Sequence, residues 1–191
     1  MSVRFQIVAN AEQRQQAYAI RAIVYVGEQN CPWDEEFDGN DDAATQILGL
    51  CDGEPFATAR IRWFAEFAKL ERLAIRQPYR HLGYGHELLD YLIALCREKG
   101  FRKAYLHAQS RLETFYRRHG FTSIGRPFGF SDHDYIEMVA DLALNPAAIS
   151  LEDGPMVINR PEGQWGQAGV LEHSLRRLAN QKSPVFTPSF R

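Results

Sequence analysis

Apolar residues recur along this chain at two spacings, one suited to strands and one to helices. Val3 to Val8 alternates apolar with polar residues and predicts a strand. Asn10 stands where a helix N-cap belongs, with Gln13 three residues on. Ala17, Ile20, Arg21, Val24 and Tyr25 then fall along that helix. Gly27 to Asp42 breaks both patterns and is acidic. Gln46 to Asp52 and Pro55 to Phe64 predict a hairpin about Asp52-Gly53, with Ala59, Ile61 and Trp63 alternating against Arg60, Arg62 and Phe64. Lys69 to Ile75 is short and mostly apolar, as a buried strand would be, and Pro78 stops it. Leu88, Leu89, Leu92, Ile93 and then Leu95 or Cys96 share one helix face, which ends in a basic turn before Gly100. Lys103 to Gln109 predicts a strand, Arg111 to His119 a short helix closed by Gly120, and Phe121–Gly125 and Tyr135–Leu142 two more strands. This order of elements predicts an α/β fold over residues 1–145. After Asn145-Pro146, the extension 146–191 carries one amphipathic stretch, Ala168 to Gln181, with Val170, Leu171, Ser174, Leu175 and Leu178 on one face. Such a helix is expected to pack on its own domain or on a partner.

Composition narrows the class. A chain of 191 residues with 45% hydrophobic and 24% charged residues suits one globular domain plus an extension. A net charge of -2 gives no pull toward nucleic acid or an anionic membrane. No apolar run of about 18 residues is present, and no secretory leader follows Met1. The 3 cysteines are scattered, which predicts reduced thiols in a cytoplasmic setting, and no metal-ligand spacing joins them to the 6 histidines.

The candidate chemistry sits in the turn between the Lys69–Ile75 strand and the helix after it. Gly83 and Gly85 lack Cβ atoms, so the backbone can take positive φ and let a ligand come close. Free N–H groups at the helix start make an anion site, most simply for a pyrophosphate, with Arg80 and His81 beside it. A nucleoside-triphosphate loop would need Gly-Lys-Ser/Thr, which is missing. A dinucleotide fingerprint would need a third small residue where Leu88 stands.

Arg80-x-x-Gly83-x-Gly85 resembles the pyrophosphate loop of the GNAT superfamily of acetyl-CoA-dependent N-acetyltransferases. Tyr116-x-x-x-Gly120-Phe121 resembles that superfamily's second signature, with Leu112 where Ala is frequent and Gln109 where Asn is frequent. Glu28-Gln29-Asn30-Cys31-Pro32, with Asp38 and Asp41-Asp42 behind it, is similar to a small bacterial branch of the superfamily. That branch often has His where Tyr135 stands here, so no role for that His carries over. The resemblance covers roughly residues 3 to 142 and leaves out the tail.

What the resemblance implies is a mixed, mostly antiparallel sheet, splayed near Leu73 and flanked by helices, and acetyl transfer from acetyl-CoA to an amine without an acyl-enzyme. It implies CoA contacts from the backbone of Leu73, Ala74 and Ile75, from Arg80, His81, Leu82, Gly83, Tyr84 and Gly85, and from Gln109 and Tyr116. It also makes Tyr116 the acid for the departing thiolate, although its helical spacing with Leu112 and Phe115 equally suits a core aromatic. Glu71, which in a regular strand shares a face with Leu73 and Ile75, is either the general base or an ion-pair partner of Arg60 or Arg62. Glu28, at the end of the first helix, is the second candidate base or an exposed helix-end carboxylate. His107 points into the cleft or is a satisfied core histidine, and Asp132-His133-Asp134 reads as a solvated loop and not as a metal site. The acidic Asp34–Asp42 segment hints at a cationic acceptor, such as a polyamine, an aminoglycoside or a lysine side chain. The expected partner is a small-molecule or peptide amine; no metal, nucleic acid or membrane is expected, and a homodimer is admitted. The alternative function is a non-catalytic acetyl-CoA-binding regulatory module.

Overall fold

The computed structural model describes residues 2–182, with side chains as far as residue 179. The end of the predicted extension, 183–191, lies outside the described residues. In chain order the elements are β1 (Val3–Ile7), α1 (Ala11–Arg21) with a π-helical continuation (Ala22–Glu28), α2 (Trp33–Glu36), β2 (Thr45–Cys51), β3 (Glu54–Trp63) and β4 (Ala68–Ile75). They continue with α3 (Tyr84–Glu98), β5 (Lys103–Gln109), α4 (Glu113–Arg117), β6 (Thr122–Phe130), β7 (His133–Asp141), α5 (Gly154–Ile158) and α6 (Val170–Lys182). Contacts divide the chain after Ala148 into two compact units.

In the first unit the strands form one sheet in the order β1-β2-β3-β4-β5-β7-β6. Each adjacent pair is antiparallel except β4 and β5, which run parallel. The predicted cap of α1 is present: Gln13 N donates to Asn10 Oδ1 at 2.9 Å, and Ala9 N donates to Gln13 Oε1 at 2.8 Å. The helix lays Ala17, Ile20 and Val24 on Leu48, Leu50 and Ala74 of the sheet. Each large aliphatic side chain buried this way contributes roughly 1.5–3 kcal/mol. Phe5, opposite Gly49 and so on the other face, meets Tyr91 of α3 with ring centroids 5.9 Å apart. The sheet therefore carries helices on both faces.

Two irregularities of β4 open the sheet. Thr58 faces Ala74 while Arg60 faces Glu71, so Arg72 and Leu73 together oppose the single residue Ala59. This is a bulge, and Arg72 takes a φ of 54° within it. Directly paired residues share a sheet face. Glu71 therefore lies on the α1 face with Ala74, away from the face of Ile75, which corrects the placement expected from strict alternation. The second irregularity is that β4 pairs with β5 only over Ala68–Leu70 and Ala104–Leu106. Beyond Leu70 and Leu106 the two strands part, as the splayed sheet requires.

In the second unit, α6 forms where the sequence predicts it. Glu172 Oε2 accepts from Gly169 N at 2.8 Å, and Arg160 pairs with Glu172 at 2.6 Å. Of its apolar stripe, Val170, Leu175 and Leu178 are 65%, 53% and 50% exposed.

Candidate functional site

A cavity of about 420 Å³ lies where β4 and β5 part. Leu70 to Leu73 form one wall and His107 and Gln109 another; Tyr25, Tyr116 and Tyr135 converge on it from the π-helix, α4 and β7. The π-helix has a direct role here. It carries Tyr25 to the bulge, where the hydroxyl donates to Leu73 O at 2.8 Å. A strand carbonyl without a ladder partner needs such a donor.

Tyr116 reaches the cavity because of how α4 ends. Gly120 takes a φ of 85° and closes the helix, Phe121 N donates back to Tyr116 O at 3.2 Å, and Phe121 is buried in the core. The Tyr-x-x-x-Gly-Phe spacing is thus a left-handed helix stop with an aromatic anchor. The ring of Tyr116 stands edge-on to Phe115 and Phe121. Among the described residues none hydrogen-bonds its hydroxyl. Burial, and then the neighbouring Tyr135, raise its pKa, so the phenol stays protonated. Gln109 donates through Nε2 to Gln29 Oε1 at 2.9 Å and to Tyr135 Oη at 3.3 Å, and its Oε1 accepts from Arg111 Nε at 2.8 Å.

The glycine turn stands at the start of α3. Gly83 is the N-cap with a φ of 88°, and His81 is also left-handed at 64°. His86 and Glu87 N–H groups turn back on Gly83 O, and among the described residues none accepts from the N–H of Leu82, Gly83 or Gly85. That is the open donor set an anion needs. Arg80 is engaged elsewhere: its Nε donates to Ile75 O at 2.8 Å and its guanidinium pairs with Glu28. Glu28 is accordingly placed against the turn and does not wall the cavity.

The acidic segment is turned inward. Arg21 pairs with Glu36 at 2.6 Å and with Asp41, Arg60 with Asp38 at 2.8 Å and Asp41 at 3.0 Å, and Arg72 with Glu36 at 3.1 Å. Arg21 and Arg60 are fully buried. Glu36, Asp38 and Asp41 are therefore paired within the fold, while Glu35 and Asp38 also line the cavity. Glu71 belongs to the same network, with Arg60 at 3.0 Å, Arg62 at 2.9 Å and Lys69 at 3.0 Å. Burial alone would raise its pKa; Arg60, Lys69 and Arg62 more than reverse that and leave it below the ordinary value. The ion pairs that the sequence offered as the second reading of Glu71 are present.

His107 lies in the cavity wall, open to the cavity, and its partial desolvation there, followed by the Lys69 ammonium, lowers its pKa. Ser131 and Asp132 turn the β6–β7 hairpin with positive φ, and Ser131 Oγ bonds the Glu35 carboxylate and lies 3.2 Å from Cys31 Sγ. Sequence patterning singled out Tyr25 only as a helix-face residue and Arg72 not at all. A π-turn and a bulge bring them to the cavity, and neither has a residue signature.

The acetyltransferase (GNAT) family model matches residues 12–121. The uncharacterized N-acetyltransferase YjcF of Bacillus subtilis (strain 168) is 33% identical over 116 residues, 60% of this chain and 82% of YjcF. Among solved structures, Escherichia coli ElaA aligns with a TM-score of 0.67 and 26% identity, over 73% of this chain and 100% of ElaA. A GNAT family acetyltransferase from Elizabethkingia anophelis, solved with acetyl-CoA bound, shares the fold with a TM-score of 0.57 and 14% identity, over 73% of this chain and 98% of its own.

Proposed function

The chain belongs to the acetyltransferase (GNAT) family, whose chemistry is acyl transfer from an acyl-CoA, and on that premise we propose that it moves an acetyl group from acetyl-CoA to the nitrogen of an amine by direct attack. One observation carries this reading: a buried phenol, Tyr116, whose hydroxyl no described residue bonds and whose pKa burial raises, walls the cavity at the parting of β4 and β5. The open N–H groups of Leu82, Gly83 and Gly85 would hold the pyrophosphate of acetyl-CoA. The backbone of Leu73, Ala74 and Ile75, with Gln109, would align the pantetheine between the strands.

The reaction sets three tasks. The amine must be neutral to attack, the tetrahedral oxyanion needs a donor, and the sulfur leaves as a thiolate unless it meets a proton. Tyr116 serves the last task. Its raised pKa makes full proton transfer to a thiolate of pKa ~8.5 uphill, so it acts as a hydrogen-bond donor to the sulfur as the C–S bond breaks, and the thiolate takes its proton from solvent. Glu71 enters as an ion-pair partner. A carboxylate depressed by three cations is a poor match for an ammonium of pKa ~10.

The test is thiol release from acetyl-CoA by the purified chain over a panel of amines: spermidine, kanamycin, Nα-acetyl-lysine, and amino acids and dipeptides with free α-amines. Release that depends on one class of amine is expected. Tight acetyl-CoA binding without release from any of them would replace this reading with the regulatory module.

A further inference from the structure

We propose that His107 is the base that takes the proton from the attacking amine, with Tyr105 and Glu137 fixing the ring in the tautomer that this needs. The proposal rests on the transfer reading above and assigns its missing proton acceptor.

Register puts His107 at the reacting end of the cleft. Leu106 is the last residue of β5 paired with β4, so His107 is the first residue past the parting. Lys69 pairs with Tyr105, and His107 with Glu137, so these four side chains share one face of the sheet. The ring is held from two sides, edge-on to Tyr105 at 5.3 Å and to Phe128 at 5.0 Å between centroids.

Hydrogen bonding then decides where its proton sits. Tyr105 Oη donates to the Glu137 carboxylate, which can only accept. A phenol has one proton, so Tyr105 has none left for His107. The 2.8 Å contact between Tyr105 Oη and His107 Nε2 therefore requires Nε2 to donate. In the neutral ring Nδ1 is left bare, and among the described residues none bonds to it. Glu137–Tyr105–His107 is thus a chain that locks one nitrogen and leaves the other as a base, in a wall of the cavity.

Desolvation of the ring in the cavity wall, and then the Lys69 ammonium, favour its neutral form. Arg62 of β3 and Lys69 of β4 disfavour the imidazolium, while Glu71 of β4 and Glu137 of β7 favour it. With burial added to the cations, the balance lies below the ordinary histidine value. The step balances as follows. The nitrogen of the neutral amine bonds to the thioester carbon while its proton passes to His107 Nδ1. The C–S bond breaks and the sulfur leaves as a thiolate that accepts a hydrogen bond from the Tyr116 hydroxyl. The imidazolium gives up that proton through solvent and the thiolate gains one, which restores neutral His107 and yields the CoA thiol.

The experiment combines activity with the ring's proton. With the amine that supports fastest thiol release, His107→Gln should lower kcat at least tenfold, within the ~10²–10⁴-fold range of general acid–base groups. Calorimetric acetyl-CoA affinity should stay as in wild type. The acid limb of the wild-type pH–kcat profile should lie below pH ~6.5 and vanish in His107→Gln. Long-range proton–nitrogen NMR of the whole chain should show the Nε2–H tautomer, lost in Tyr105→Phe, which keeps the edge-on ring contact. A kcat within twofold of wild type in a folded His107→Gln, or an Nδ1–H tautomer, overturns the proposal and leaves the transfer reading standing. No turnover by wild type with any amine overturns both.

Discussion

Tyr116 and Glu71 are both polar groups on a cavity wall, yet their surroundings assign them opposite work. Tyr116→Phe removes a hydroxyl that no described residue bonds and leaves the ring against Phe115 and Phe121. The fold and acetyl-CoA affinity should survive while kcat falls at least tenfold, measured where chemistry limits the rate. Glu71→Gln should do the reverse, with the larger effect on stability, because it strips a partner from the fully buried Arg60. Removing one member of a buried pair costs up to about 3–5 kcal/mol, and less for a carboxylate that water still reaches. The sign with pH follows from the depressed pKa of Glu71. Its contribution is fully present above the unfolded value of ~4.3 and is lost as pH falls through the folded value. The melting-point gap between wild type and Glu71→Gln should therefore be large at pH 7 and shrink below about pH 4; a gap independent of pH would contradict the ion-pair role. The sequence showed Glu71 as a carboxylate in an apolar run and left its two readings open. It could not show the face, because one extra residue in the bulge reverses the parity of everything before it.

At the scale of elements, the strand–turn–helix from β4 to α3 was the most legible part of the chain. Its cues are local: Pro78, the glycines, and an apolar stripe from Leu88 to Cys96. Gly83 needs its left-handed φ of 88° but has open space around it, so a side chain there is strained by the backbone and not by a clash. Gly83→Val should lower acetyl-CoA affinity at least tenfold, on the order of 1.4 kcal/mol, in a protein that remains folded. Calorimetry with unchanged affinity would remove the turn from CoA binding. The ion pair from Glu28 to Arg80 joins the π-helix to this turn, a contact across 52 positions that no local pattern carries. If Arg80 serves the pyrophosphate, Glu28→Gln frees it, and acetyl-CoA should bind the variant more tightly than wild type. Weaker binding would mean that the pair holds the turn in shape.

The whole molecule shows where long-range order outran the pattern. β6 runs on to Phe130, past the Gly125 where the pattern ends, and the sheet class came from the family resemblance, but most strands follow from alternation and short apolar runs. The inward turn of Glu36, Asp38 and Asp41 onto Arg21, Arg60 and Arg72 does not, since acidic loops and buried ion networks read alike in a sequence. The tail helix was legible as an amphipathic face, but not what covers it. Among its described residues Val170, Leu175 and Leu178 are half or more exposed. Deleting residues 149–191 should lower the oligomer order seen in sedimentation while acetyl-CoA affinity is kept. Truncated and full chains that sediment alike would show that this face joins no second copy.

The central claim is direct transfer of an acetyl group to nitrogen, and the most direct measurement follows the acetyl carbon itself. Acetyl-CoA labelled with ¹³C at the carbonyl is mixed with the chain and its preferred amine for a single turnover, and the products are read by NMR and intact-protein mass. The account predicts one amide carbonyl on the amine for each CoA thiol released, with no acetylated protein on the way. Label on a protein side chain that then passes to the amine, label in an ester, or label that never leaves CoA would contradict it.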